Sequence, residues 1–276
     1  MLKQLKRLMS LPSQAVNSDA PEAVPAAPGA QMVGLKDMVL SGWMNKESGE
    51  LMTGFPVSAE DTVLDIGCGE GGYALFSARR GASIILADLD APKLEVARQR
   101  LEKAGAHKVQ ALITDADPIP LPDHSVSRVV AMEVLEHVDD PERFIAELVR
   151  VAKPGALLLL TVPDELNEGI QKQVAPSVYF EKPNHIRIFK RGELASLALQ
   201  AGLTIEHETQ YGFYHAIWWS FFWACENQPL TPPWHPLLDQ WAATWATLLS
   251  LPDGLRIKQA LDETLPKSQV LIARKP

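Results

Sequence analysis

The residues of this chain that could do chemistry begin with a glycine-rich segment at positions 63–72, which reads Val-Leu-Asp-Ile-Gly-Cys-Gly-Glu-Gly-Gly. An apolar run ends at Asp65, and the glycines that follow open a stretch of helical character. Glycine adopts positive φ freely and lets the backbone approach a ligand closely. Because α/β proteins hold nucleotide-like cofactors at such strand ends, the segment predicts a cofactor site.

The glycine loop alone is compatible with two kinds of cofactor. Three of its glycines match the G-x-G-x-x-G pattern of dinucleotide-binding proteins, namely Gly67, Gly69 and Gly72. Asp88 lies about 20 residues further on, where a ribose-binding acid belongs. Asp65 precedes the first glycine by two residues, and Asp115 follows a further apolar strand at 109–113. Acids at strand ends often cap the next helix, but three beside one glycine loop favour cofactor binding.

A second chemical segment, Met-Glu-Val-Leu-Glu-His at 132–137, follows a later predicted strand. Glu133 and His137 are candidate catalytic residues, since an imidazole with an ordinary pKa near neutrality can act as a general base. Together with the glycine loop and the acids, this segment resembles the class I S-adenosylmethionine-dependent methyltransferases, specifically the small-molecule group that carries E-V-L-E-H. The resemblance covers roughly residues 60–210.

The resemblance implies a set of cofactor-binding positions, which are Asp65, Gly67, Cys68, Gly69, Asp88, Leu89, Asp115, Ala116 and Met132. Backbone of the glycine loop would contact the amino-acid end of S-adenosylmethionine, and Asp65 would accept from its ammonium group. Asp88 would accept from both ribose hydroxyls. Leu89 would lie against the adenine, with Asp115 accepting from its amine and the Ala116 backbone donating to a ring nitrogen. Asp90 is predicted to cap a helix instead.

The letters Glu133-x-x-Glu136-His137 also resemble the E-x-x-E-H metal motif of ubiquinone-type O-methyltransferases and small-RNA 2′-O-methyltransferases. The resemblance implies a divalent metal that polarises the acceptor oxygen, with His185 as a further ligand. Two alternatives remain open. His137 could act as a general base without metal, or Glu136 and His137 could only shape the segment that follows.

The composition bounds the class of protein. The chain has 276 residues, 46% of them hydrophobic, which suits one α/β domain with additions. A net charge of −8 argues against a generic nucleic-acid-binding surface. Cys68 and Cys225 are too far apart in sequence to suggest a metal or disulfide framework, so we expect a cytoplasmic protein. No apolar run is long enough to predict a membrane span.

Residues 1–30 are predicted to form a basic N-terminal helix and a disordered linker. Four apolar residues share one helical face, Leu2, Leu5, Leu8 and Met9, while lysines and an arginine lie elsewhere. Such a helix could lie on the inner face of a membrane or pack on the protein. The prolines between residues 12 and 30 favour a linker. Residues 31–276 are then the methyltransferase domain, beginning with a helix predicted over Leu35 to Met52.

Strand and helix patterns alternate through this domain. Strands are predicted near 62–66, 83–88, 108–113, 126–132, 156–162, 203–210 and 268–274, and helices near 71–80, 91–104, 141–152 and 191–201. This rhythm predicts an α/β fold, a Rossmann-like doubly wound sheet of seven strands whose last strand is antiparallel. The antiparallel ending follows from the methyltransferase resemblance.

A tryptophan-rich insertion at 211–266 precedes the last strand. Six of the seven tryptophans lie there: Trp218, Trp219, Trp223, Trp234, Trp241 and Trp245. Aromatic clusters are usually packing cores. The alternatives are a lid with an apolar acceptor pocket, a homodimer interface and a membrane-contacting face.

The sequence therefore predicts an S-adenosylmethionine-dependent methyltransferase that acts on a small-molecule or lipid-linked acceptor, with transfer to oxygen favoured by the candidate base and metal motif. An NAD(P)-dependent oxidoreductase is the enzymatic alternative. A protein that binds the cofactor without turnover, as a partner subunit, is the non-enzymatic one.

Overall fold

A computed structural model describes residues 29–106 and 108–276, so the basic segment and most of the linker predicted at 1–30 lie outside the described residues. The strands, numbered along the chain, are β1 (Trp43–Asn45), β2 (Glu50–Met52), β3 (Phe55–Pro56), β4 (Thr62–Ile66), β5 (Ser83–Asp88), β6 (Val109–Ile113), β7 (Val126–Met132), β8 (Ala152–Pro163), β9 (Thr204–Tyr211) and β10 (Ser268–Arg274).

The helices of the described residues are α1 (Ala30–Leu40), α2 (Ala74–Arg79), α3 (Ala91–Lys103), α4 (Pro141–Val151), α5 (Glu165–Val174), α6 (Glu193–Gln200), α7 (Phe213–Ala224), α8 (Pro236–Leu248) and α9 (Gly254–Thr264). Short 3₁₀ turns lie at Leu135–His137 and Ser177–Phe180. Asp90 and Asp140 cap α3 and α4, because their side chains accept from the backbone amides of Lys93 and Arg143.

Seven strands form one sheet in the order β6-β5-β4-β7-β8-β10-β9. The strands from β6 to β8 are parallel, whereas β10 runs antiparallel to both β8 and β9. The predicted Rossmann-like sheet with an antiparallel last strand is confirmed. Because the chain leaves β4 for β5 on one side and later returns to β7 on the other, the carboxyl ends of β4 and β7 flank a crevice of the kind that binds ligands.

The helix predicted over Leu35 to Met52 is wrong in its second half. The helix α1 ends at Leu40, and β1, β2 and β3 form a small antiparallel sheet instead. Gly42 ends the helical path with a φ of +95°, and Gly49 turns the chain between β1 and β2 with a φ of +77°. Both angles favour glycine, so two residues that the helical periodicity passed over decide the local structure.

The tryptophan-rich insertion folds into the helices α7, α8 and α9 between β9 and β10. Its aromatic residues pack together with α1 in a core separate from the two cores that cover the sheet. Trp245 donates to Asp37 of α1 over 2.8 Å, and the Tyr214 hydroxyl donates to the Ala30 carbonyl over 3.0 Å. The described N-terminal helix and the insertion therefore form one cap beside the sheet. None of the helices in residues 29–106 and 108–276 has the length and hydrophobicity of a membrane span.

Candidate functional site

The glycine loop lies at the carboxyl end of β4 and is tied to the neighbouring strand. The backbone amides of Gly67 and Cys68 donate to the Ala87 carbonyl over 2.8 and 3.2 Å. The amide of the next residue, Gly69, donates to Oδ2 of Asp88 over 2.9 Å. These bonds hold the loop across the ends of β4 and β5, which is where the sequence placed the cofactor.

Two of the loop glycines have no room for a side chain. Gly67 has a φ of +68°, and a Cβ on it would lie 2.4 Å from Cγ2 of Val134. Gly71 has a φ of +74°, and its Cβ would lie 3.0 Å from the Ala97 side chain. Gly67 therefore lets the segment after β7 close against the loop, while Gly71 lets α3 approach it.

Asp65 is buried at the end of β4, and burial raises its pKa to about 7, with the negative charge of Asp88 adding to the effect. A backbone hydrogen bond from Ala74 acts in the opposite direction. A buried carboxyl poised near neutrality is unfavourable for a free protein above pH 7. An ammonium group beside Asp65 would stabilise its carboxylate, so this environment suits the amino end of S-adenosylmethionine.

Both carboxylate oxygens of Asp88 accept from backbone amides, one in the glycine loop and one at the start of α3. Oδ2 accepts from Gly69, and Oδ1 accepts from the amide of Asp90 over 2.8 Å. A carboxylate offers about four acceptor positions, so each oxygen retains capacity for one hydroxyl. The orientation of Asp88 is therefore set before any ribose diol binds.

The predicted adenine side carries two exposed apolar residues. Leu89 follows β5 and Ile113 ends β6, and they are 62% and 66% exposed. Asp115 is exposed beyond them, where it accepts from the Asp117 amide over 3.1 Å. The Ala116 amide donates to Oγ1 of Thr114, so it must change partner to reach an adenine nitrogen. Apolar side chains open to solvent beside a glycine loop suit the flat faces of a purine.

The two other predicted cofactor residues contribute packing. Cys68 lies in the loop, and burial together with the nearby carboxylates of Asp65 and Asp88 raises the pKa of its thiol. The thiol is thus protonated at neutral pH and is no nucleophile. Met132 is buried at the end of β7 and belongs to the core on one face of the sheet.

Glu133 has a backbone conformation that is unusual for its type, with a φ of +54° directly after β7. Its amide donates to the Thr161 carbonyl over 3.1 Å, and the Thr161 hydroxyl donates to Oε1 over 2.8 Å. Its other oxygen accepts from Nζ of Lys267. Burial acts against the charge of Glu133, but the ammonium group of Lys267 outweighs it and lowers the pKa of the carboxyl. Glu133 is therefore an ionised partner of Lys267.

The other three predicted metal ligands come together. One ligand atom of each of Glu136, His137 and His185 lies within 4.8 Å of the others. Nδ1 of His137 donates to the Pro183 carbonyl over 3.2 Å, which leaves Nε2 facing Oε1 of Glu136 at 3.7 Å. The rings of the two histidines meet edge to face, with centroids 5.1 Å apart. The structure thus assembles three of the four predicted ligands and separates Glu133 from them.

Burial dominates the protonation of this cluster. It raises the pKa of Glu136 well above the ordinary value, with the charge of Glu133 adding to the effect. Burial, with the neighbouring His185 adding to the effect, lowers the pKa of His137 to about 4. His137 is therefore a neutral imidazole at pH 7, and Glu136 carries a proton unless a cation compensates its charge.

Three residues that hydrogen-bond to predicted site residues were not predicted from the sequence, namely Glu168, Lys267 and Thr161. Glu168 of α5 accepts from Nδ1 of His185 over 2.7 Å, and both side chains are buried. Lys267 and Thr161 hold Glu133 through hydrogen bonds to its two carboxylate oxygens. These contacts join residues that are far apart along the chain, so no local motif marked them.

Comparisons with known proteins agree with this geometry. Residues 64–160 match a family model described as a methyltransferase domain. Methyltransferase GfsG of Streptomyces halstedii is 36% identical over 139 residues, which cover 48% of this chain and 49% of that protein. A ubiquinone biosynthesis O-methyltransferase of Thiobacillus denitrificans is 31% identical over 153 residues, which cover 53% of this chain and 66% of the relative. The chain thus spans less than two thirds of the length of these curated relatives.

A solved structure of geranyl diphosphate methyltransferase in complex with SAM (S-adenosylmethionine) superposes with a TM-score of 0.54 at 16% identity, covering 80% of each chain. This likeness shows the shared fold. The family match over residues 64–160 favours a methyltransferase over a dinucleotide-dependent enzyme as the reading of the glycine loop.

Proposed function

We propose that this chain, a class I S-adenosylmethionine-dependent methyltransferase, transfers a methyl group to the oxygen of a small-molecule or lipid-linked acceptor. The observation that carries the proposal is the arrangement of the loop at 67–72 between buried Asp65 and the oriented carboxylate of Asp88. S-adenosylmethionine supplies a methyl carbon activated by positively charged sulfur. The residues of this chain then have to align the acceptor and exclude water.

The rim at 132–137 supports transfer to oxygen. A hydroxyl acceptor loses a proton during the reaction. Without a bound cation, His137 offers Nε2 as a base, because burial lowers the pKa of the imidazole and its Nδ1 donates to the Pro183 carbonyl. General-base assistance of this kind contributes about 10²–10⁴-fold to a rate. Nitrogen and carbon acceptors place different demands on such a base, so the candidate base favours oxygen.

The cluster of Glu136, His137 and His185 also fits a divalent cation. Among the described residues, both oxygens of Glu136 and Nε2 of His185 are buried without a hydrogen-bond partner. Buried polar atoms are normally paired, and an orphaned set of carboxylate and imidazole atoms suits a cation. A bound divalent ion would polarise an acceptor oxygen. We propose that these three residues hold it.

Two features support an apolar acceptor. The cap formed by α1, α7, α8 and α9 presents half-buried aromatic residues, and Trp223 lies 5.5 Å from Tyr179 between ring centroids. Tyr179 in turn packs against His185 at 4.3 Å. A path of aromatic rings thus leads from the cap to the proposed catalytic rim, and aromatic walls suit apolar or ring-containing acceptors.

Peripheral contact of the cap with a membrane would suit a lipid-linked acceptor. Met32, Leu35 and Val39 are exposed on α1 at helical spacing, and the basic segment lies upstream in the sequence. Exposed apolar faces mark contact surfaces. Sedimentation with anionic vesicles tests this part, and concentration-dependent dimerisation without vesicle binding would assign the face to a second copy of the chain.

The central test is calorimetry of the full chain with S-adenosylmethionine, its demethylated product and NAD. We expect binding of the first two and none of NAD. Binding of NAD alone would overturn the proposal. Asp239→Asn, which changes an exposed acid in the first turn of α8, is the matched control for acids at the loop.

The class of acceptor can be identified by incubating the chain with methyl-labelled S-adenosylmethionine and a cell extract. The mixture is then separated into aqueous and organic fractions. Label in the organic fraction supports a lipid-linked acceptor. The ¹³C chemical shift of the transferred methyl group distinguishes oxygen from nitrogen and carbon. Full activity after removal of divalent ions by a chelator would leave His137 as a metal-free base.

A further inference from the structure

Glu168 and His185 form a buried pair that the proposed reaction does not itself explain. Their side chains are 1% and 2% exposed, and Oε2 of Glu168 accepts from Nδ1 of His185 over 2.7 Å. Nε2 of His185 points to the cluster with Glu136 and His137 and has no partner among the described residues. A carboxylate behind one ring nitrogen fixes the tautomer and leaves the other nitrogen as a ligand atom.

Glu133 is arranged in the opposite way. Both of its oxygens are engaged, one by the Thr161 hydroxyl and one by the ammonium group of Lys267. Thr161 also fixes the Glu133 backbone through its carbonyl oxygen. A carboxylate that is already neutralised by a buried ammonium group is a poor candidate for a further cation. Of the two glutamates in the motif, only Glu136 keeps free oxygens in the cluster.

We infer that the metal centre of this chain has a ligand set of Glu136, His137 and His185, with Glu168 as the positioning residue behind His185 and Glu133 withheld by Lys267. One carboxylate and two imidazoles are a ligand set that suits zinc and similar borderline divalent ions. Acidic side chains without imidazoles would have suited magnesium or calcium better. This inference rests on the proposed function, because it assigns the ligands of the cation site proposed there.

The positioning role of Glu168 has a geometric reason. It lies on α5, whereas His185 lies in the irregular segment between Phe180 and α6. The segment is further held by Asn184, which donates to the Val178 carbonyl over 2.7 Å. Without Glu168 the imidazole could rotate or adopt the other tautomer, and Nε2 would no longer be presented to Glu136 and His137. Loss of such a supporting partner typically weakens metal affinity about 10- to 100-fold.

The test is titration of the chelator-treated full chain with Zn²⁺ by calorimetry, with Co²⁺ absorption as a report on coordination. We expect the wild type to bind one equivalent at the site, Glu136→Gln to abolish that binding, Glu168→Ala to weaken it about 100-fold and Glu168→Gln about 10-fold. Glu133→Ala should leave the Zn²⁺ affinity within about threefold of the wild type, and Glu181→Gln, on an exposed residue near His185, is the matched control.

Binding of S-adenosylmethionine to each variant separates this inference from the proposed function and shows that the variant is folded. Wild-type chain that binds the cofactor but no Zn²⁺ would overturn the ligand assignment and leave the methyltransferase proposal standing. Unchanged Zn²⁺ affinity in both Glu168 variants would also overturn it, because a structural ion pair shifts the melting temperature alone. Loss of Zn²⁺ binding in Glu133→Ala would return Glu133 to the ligand set.

Discussion

The backbone amide of Gly69 donates to the carboxylate of Asp88 over 2.9 Å and so joins the loop after β4 to the end of β5. The second oxygen of Asp88 accepts from Asp90, the N-cap of α3. One carboxylate therefore orients the loop, the start of a helix and the predicted ribose site together.

Asp88→Asn should weaken S-adenosylmethionine binding about 10- to 100-fold, because a hydrogen bond to a charged group contributes about 1.5–3 kcal/mol. An amide oxygen can still accept from one backbone amide, so the fold should persist. Calorimetry measures the affinity, and Asp239→Asn should match the wild type. An affinity unchanged in Asp88→Asn would remove Asp88 from the ribose site.

The affinity for S-adenosylmethionine should depend on pH through Asp65, because burial raises the pKa of its carboxyl in the free protein to about 7. Below that pH the carboxyl is protonated, and the cofactor ammonium group favours the carboxylate, so binding releases a proton. The affinity should then rise with pH up to about 7, by at most tenfold for each pH unit, and level off above.

The raised pKa of Asp65 also has a consequence for stability. A carboxyl that is harder to ionise in the folded state destabilises the fold as pH rises from about 4 through 7. Asp65→Asn should remove both this loss and the pH dependence of binding, while weakening binding at pH 8. Calorimetry in two buffers of different ionisation enthalpy measures the released proton. Identical heats in the two buffers at pH 6 would contradict the assignment.

Gly67→Ala should abolish cofactor binding, since its Cβ would lie 2.4 Å from the Val134 side chain at a φ of +68°. Gly105→Ala is the matched control. It has a φ of +88° but nothing within 4 Å of its Cβ. Both variants should lose about 1–2 kcal/mol through the backbone conformation, and only Gly67→Ala should lose the cofactor. Equal binding by the two variants would mean that the loop tolerates a shift of Val134.

Lys258→Met should destabilise the cap. The ammonium group of Lys258 is buried and contacts Asp37 at 3.3 Å and Asp262 at 2.5 Å, and it donates to Ser41 over 2.7 Å. Removal of one member of a buried charge network costs about 3–5 kcal/mol because the remaining charges stay unpaired.

Urea denaturation measures the loss for Lys258→Met. Lys103→Met, at an exposed residue of α3, should change the free energy of unfolding by less than about 0.5 kcal/mol. Burial raises the pKa of Asp37 to about 6, so Asp37→Asn in the Lys258→Met background should recover part of the stability. A loss below about 1 kcal/mol in the single variant would show that water enters the network.

Local sequence patterns misled in two places, the segment after α1 and the tryptophan-rich insertion. Apolar spacing from Leu35 onward predicted a helix to Met52, yet Gly42 and Gly49 turn the chain into a small sheet. The tryptophans indicated a cluster but not its partner. The aromatic residues of the insertion pack against α1, which begins 184 residues before Tyr214. Periodicity describes which face of an element is apolar, and it carries no information about the distant surface that covers it.

The sequence by itself determined what is local. The glycine loop, the acids at the ends of β4 and β5 and the caps of α3 and α4 depend on backbone conformations and neighbours within a few residues, and each was predictable from residue type and spacing. Only the tertiary structure decided the roles of Glu133 and His185. Glu133 pairs with Lys267, 134 residues away, and His185 pairs with Glu168 on another element. A buried charge is stable only when it is paired, and the packing of the sheet and the cap decides which partner lies within reach.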